Sequence, residues 1–144
     1  MSQARVIRTV AAVIADDAGR VLLVRKRGSR IFIQPGGKPV AGEDALATLA
    51  RELAEELGVR PVAGSAVPLG EFEADAVHEA GMRVRGDAWV VRIAGTPRAQ
   101  AEIEQLCWID PQPPYPVEVA PLSARHILPA YLRSRPHQPA TGLR

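Results

Sequence analysis

At 144 residues, with 47% apolar residues and a net charge of +2, the chain is long enough for one domain with a substantial core and too nearly neutral to argue for nucleic-acid binding. One cysteine, Cys107, excludes an internal disulfide framework and suits a reducing compartment. Residues 1–10 hold no apolar run fit for a signal peptide, and no stretch is apolar enough to span a bilayer, so a cytoplasmic protein without a membrane partner is expected. A single domain over residues 1–133 is expected, followed by a polar tail over 134–144 that carries two prolines.

Residues 5–14 open the chain as a strand, with Val6, Ile7, Val10, Val13 and Ile14 apolar and Thr9 suited to a sheet. Asp16-Asp17-Ala18-Gly19 reads as a turn, and residues 21–27 as a second strand that pairs with the first as a hairpin. Its end, Arg25-Lys26-Arg27 with Arg30 beyond, is basic. It serves either as a phosphate contact, because Arg binds phosphate oxygens bidentately, or as a soluble strand end. Residues 31–34 form a short strand leading to Pro35-Gly36-Gly37, where glycine permits close backbone approach. Phe32 either stacks on a base or fills the core.

A helix follows. Asp44 is a natural N-cap and Gly58 a natural left-handed stop. Between them Leu46, Leu49, Leu53 and Leu57 recur at three and four, which predicts an apolar stripe facing a core. Glu52, Glu55 and Glu56 share one flank beside that stripe. Like charges at this spacing repel unless something neutralises them. Clustered carboxylate oxygens suit a hard ion such as Mg²⁺ or Mn²⁺, and there is no Cys/His set for zinc.

Gly37, Glu43, Arg51, Glu52, Leu53, Glu55, Glu56, Gly58 and Val59 fill every position of the pattern G-x5-E-x7-R-E-U-x-E-E-x-G-U, with U a bulky aliphatic residue. On these residues, the stretch 37–59 resembles the Nudix box. The resemblance implies a Mg²⁺-dependent hydrolase, with Mn²⁺ as substitute, that cleaves a nucleoside diphosphate linked to another moiety by water attack on phosphorus. It implies that Glu52, Glu55 and Glu56 hold metal, that one of them also helps to deprotonate the water, and that the carbonyl of Gly36 adds a ligand. Glu43 and Arg51 would brace the loop against the helix. Arg25, Arg27, Gln34, Gly37 and Lys38 are the candidate substrate contacts beside them. Homodimers are common among proteins of this kind.

Beyond the helix, residues 61–77 read as a strand region interrupted at Pro68. Glu71, Glu73 and Asp75 alternate with Phe72, Ala74 and Ala76, giving an acidic face that either lends a carboxylate to the metal or meets solvent. Residues 78–81 form a loop in which His78 is a candidate substrate contact. Residues 82–93 form another strand, with Arg83, Arg85 and Trp89 on one face by period two. Glu102 and Glu104 precede a late strand, 105–109, and are either extra site carboxylates or surface residues. Five prolines between 110 and 121 make an extended connector. Residues 123–132 can form a closing helix that Pro129 should kink or shorten.

Strands, a helix, more strands and a final helix define an α/β (α+β) single domain. The Nudix resemblance makes it an α/β/α sandwich with a mixed β-sheet. Residues 72–81 lack the tyrosine of the dinucleoside-polyphosphate subgroup. Pro68 comes too early for the ADP-ribose subgroup, and no coenzyme A signature is visible. The chain has no Asn, which excludes guanine reading by an Asn side chain but leaves the backbone, Gln34 or Gln105. A nucleoside triphosphate is the leading substrate. The alternatives are another nucleotide derivative such as a nucleotide sugar, and a non-catalytic Nudix-like nucleotide-binding module. A capped RNA end would ask for a basic stripe with interleaved aromatics, and six aromatic residues with a charge of +2 argue against it.

Overall fold

The computed structural model describes residues 5–135. Nine strands and two helical regions follow in order. The strands are β1 (Val6–Val13), β2 (Val21–Lys26), β3 (Phe32–Ile33), β4 (Gly36–Gly37), β5 (Arg60–Pro61), β6 (Val67–Asp75), β7 (Arg83–Val90), β8 (Ile93–Ala94) and β9 (Ile103–Ile109). Helix α1 (Ala45–Leu57) lies between β4 and β5, and a π-helical segment (Leu122–Ile127) runs on into α2 (Leu128–Ser134).

A four-stranded mixed sheet has the order β4-β1-β7-β6. Its centre is the parallel pair β1–β7, in register from Val6–Arg83 to Val13–Val90. A three-stranded antiparallel sheet has the order β3-β2-β9, and β5 pairs with β8. The expected β1–β2 hairpin is therefore corrected: the two strands belong to different sheets. Their turn does start as a hairpin, with Asp16 Oδ1 accepting from Ala18 N and Arg20 N and Leu22 N donating to Ile14 O. Beyond the single bridge Ala15–Val21 the strands part, because each finds a longer partner elsewhere.

The second half of β1, from Val10, and the first four residues of β2, Val21 to Val24, bury both of their faces, as runs of consecutive apolar residues demand. Val10, Ala12, Ile14, Leu22 and Val24 pack toward α1, against Leu49, Leu53 and Leu57. Ala11, Val13, Val21, Leu23 and Phe32 pack toward the other side, against Ile127, Leu128 and Tyr131. Helices on both sides of the sheets make the expected sandwich. Phe32 and Trp89 both belong to the core rather than to a stacking surface.

Two helix expectations change. Leu46 is 45% exposed, so the buried stripe of α1 begins at Leu49. Pro129 does not shorten the last helix, which reaches Ser134, one residue past the expected domain end. The turn before it widens instead, with Leu128 N bonding to Ser123 O. A wider turn moves the preceding carbonyls away from the proline ring, which has no N–H to offer them. The remainder of the expected tail, 136–144, lies outside the described residues. Among the described residues no helix is long and apolar enough to cross a membrane.

Candidate active site

α1 forms where its end signals place it. The Asp44 side chain accepts from Ala47 N at 2.8 Å, and Gly58 adopts φ +68 while its N–H returns to Ala54 O. Gln100 Nε2 reaches the carbonyls of Ala54 and Glu55, satisfying the last turn from outside.

The helix is bound to the glycine loop by Arg51. Its Nε and Nη2 donate to Glu43 at 2.7 and 3.0 Å. Its Nη1 donates to Glu52 Oε2 at 2.8 Å, and Nη2 also reaches Lys38 O at 2.9 Å. Glu43 further accepts from Val40 N and Thr48 Oγ1. The Arg51 guanidinium, with the Val40 N–H behind it, holds the Glu43 carboxyl down at about 2. In turn the hydrogen bonds to Glu43 and Glu52 push Arg51 further up.

The glycines are required by close contact. Gly36 has φ +141, and a Cβ there would run into Val10 O on β1. A Cβ on Gly37 would run into the Glu52 carboxyl. The loop and helix are thus packed backbone to carboxylate. Glu56 is 5% exposed, and its Oε1 accepts from Gly36 N at 3.3 Å. Burial pushes its carboxyl up to about 8; the Gly36 N–H opposes this and the charge of Glu52 adds to it. The charge of Lys26 opposes the shift only in part, and a divalent cation among hard oxygen donors would supply the countercharge that a buried carboxyl beside a second carboxylate needs. The donor chemistry of Glu52 and Glu56 therefore fits such an ion.

These groups line a cleft of about 600 Å³. Gly36, Gly37, Lys38, Glu52 and Glu56 lie on one side of it, with Lys26, Arg27 and Ser29 also along its wall. Ile7, Val84 and Leu122 give it an apolar stretch, and His78 and Glu79 come from the loop between β6 and β7. Glu55 is exposed and does not line the cleft. Among the described residues no three His, Cys, Asp or Glu side chains converge as a metal site.

The other expected site residues divide. Gln34 lines the cleft but is 6% exposed, with Nε2 donating to Ala12 O at 2.9 Å. Arg27 lines it and pairs with Glu104 at 3.4 Å. Arg25 does not line it: its guanidinium is held by Gln105 Oε1 and Ser29 O, which also occupies Gln105. Lys26, the middle residue of that basic strand end, lies in the cleft. The pairing of β2 with β9 shifts register between Arg25 and Lys26, so simple alternation fails there. Glu102 lines the cleft. Glu73 and Asp75 pair with Arg83, and Glu71 with Arg85, so the acidic face of β6 meets arginines of β7.

The NUDIX domain model matches residues 6–131, and the chain belongs to that family. It is similar to the solution structure of the E. coli ORF135 protein, at 31% identity and TM-score 0.71 over 95% of this chain and 96% of that one. The MutT NUDIX hydrolase from Burkholderia pseudomallei is similar at 25% identity and TM-score 0.70, over 90% and 98%. A Mycobacterium tuberculosis protein named "Putative 8-oxo-dGTP diphosphatase 2" is 44% identical over 75 residues, 52% of this chain and 50% of that protein. The chain thus spans about half the length of the curated relatives it matches.

Proposed function

We propose that the protein is a divalent-metal-dependent pyrophosphohydrolase acting on a nucleoside triphosphate. The observation that carries this is the meeting of Glu52 and Glu56 with the Gly36-Gly37 loop inside a cleft that also holds Lys26, Arg27 and Lys38. Carboxylates for a cation and cations for phosphate, side by side, suit a polyphosphate chain and not a neutral ligand. The name of the M. tuberculosis relative adds support for an oxidised purine nucleotide as the base-bearing part.

In this reading Glu52, Glu56 and the Gly36 carbonyl would hold Mg²⁺, which polarises the phosphoryl oxygens when bound, while Glu55 points away from the cleft. Lys26, Arg27 and Lys38 neutralise the phosphates and orient them. Glu52 or Glu56 accepts a proton from water as its oxygen bonds to phosphorus. The bridging P–O bond breaks, and nucleoside monophosphate and pyrophosphate leave. Arg51 and Glu43 keep the loop and helix aligned without touching substrate. The aliphatic wall of Ile7, Val84 and Leu122 takes the base.

The test is product release from a nucleotide panel, with and without Mg²⁺, for wild type and Glu56→Gln. Metal-dependent turnover lost on substitution is expected, with an 8-oxopurine nucleotide among the best substrates. Tight binding of a nucleotide with Mg²⁺ present and no cleavage would move the protein to the binding-module reading, which the outward Glu55 favours.

A further inference from the structure

The roof of the cleft is the loop of residues 76–82. It closes on itself, with Ala76 N donating to Met82 O at 2.9 Å and Met82 N to Glu79 O at 3.2 Å. Two side chains carry it across the opening. His78 Nε2 is 3.2 Å from Ser29 Oγ, in the turn between β2 and β3. Glu79 Oε2 is 3.6 Å from Lys38 Nζ, just past the glycine loop. The loop therefore touches both banks of the cleft.

Lys38 is anchored at its backbone, where its carbonyl accepts from Arg51, so only its side chain can change partner. Its present partner is easily lost. The separation is beyond hydrogen-bond length, and the two side chains are 63% and 41% exposed. An exposed pair of this kind is worth roughly a two- to five-fold factor in an equilibrium.

We propose that Glu79 is a specificity-determining residue that competes with substrate phosphate for Lys38. The proposal rests on the reading of Lys38 as a phosphate contact. A nucleotide that brings enough phosphate charge to Lys38 displaces Glu79. One that does not leaves the pair closed across the cleft. Glu79 thereby weakens only those nucleotides whose phosphates use Lys38, and it does so by occupying the ammonium.

The test uses the full chain as wild type, Glu79→Gln, Lys38→Met and the double variant. Binding of the α,β-methylene analogue of dGTP with Mg²⁺ is measured by calorimetry. Amide exchange of residues 76–82 is measured with no nucleotide present, and melting temperatures confirm folding. Glu79→Gln should tighten the analogue roughly two- to five-fold, Lys38→Met should weaken it, and the first effect should vanish in the double variant. Without nucleotide, exchange across 76–82 should quicken in both single variants. Weaker or unchanged binding in Glu79→Gln, with Lys38→Met still weakening it, would overturn the competition and leave Lys38 as a phosphate contact. Unchanged binding in Lys38→Met would remove both, and unchanged exchange in Glu79→Gln would show that no pair holds the loop.

Discussion

Arg51 and Glu43 face each other as fork and carboxylate, Nε to Oε2 and Nη2 to Oε1. Two parallel bonds fix a plane, which a lysine cannot do. Arg51→Lys should therefore lower the melting temperature and the activity together. The pair also sets an acid limit. The folded Glu43 carboxyl titrates at about 2 against an ordinary 4.5, so its contribution is whole above pH 4.5 and is lost as pH falls toward 2. Urea midpoints followed down through that window should fall less steeply in Glu43→Gln than in wild type.

Glu56 works in the opposite sense. Its folded carboxyl is raised to about 8 from 4.5, so the folded state keeps the proton longer. Without metal, stability is greatest below pH 4.5 on this account and declines as pH rises toward 8, by on the order of a few kcal/mol. Glu56→Gln should flatten that decline. If Mg²⁺ binds here, it should release a proton below pH 8 and restore stability above it. Calorimetry in buffers of different ionisation enthalpy counts that proton.

Gly36→Ala and Gly37→Ala should fail differently. The first sets a methyl against the rigid Val10 carbonyl at a φ that L-residues avoid. It should cost roughly 3 kcal/mol or more, read as a lower denaturation midpoint. The second meets the Glu52 carboxyl first, at the end of a side chain that can move. It should leave the fold standing and misplace that carboxylate, with turnover down about 100-fold.

Leu49 is 1% exposed and Leu46 45%. Leu49→Ala should cost about 2–5 kcal/mol and Leu46→Ala less than about 0.5. Equal effects in chemical denaturation would contradict the placement of α1.

The loop–helix unit was legible because its determinants are local. Asp44 caps, Gly58 stops, and the i, i+3 and i+4 spacing aims Leu49, Leu53 and Leu57 inward. Leu46 obeys the same period but precedes the point where the sheets cover the helix, and period alone does not mark where a core ends. The partner of β1 was not legible, because β7 is distant in sequence while the Asp16 turn is near. The basic end Arg25-Lys26-Arg27 was visible, but a register shift hid that Lys26 and not Arg25 enters the cleft. Glu79 was hidden because a loop residue shows its partner only after folding.

The parallel register of β1 with β7 also sets a timetable. On the ribosome, Val10 to Ile14 emerge long before Arg83 to Val90. One edge of β1 can be covered early by Gly36-Gly37, but the other stays open until the last of its eight partners is made. The glycine loop and the capped helix are by then complete in the nascent chain. A truncation before Val90 would leave the glycine loop and helix synthesised and their platform missing, with an apolar strand edge free to find another chain.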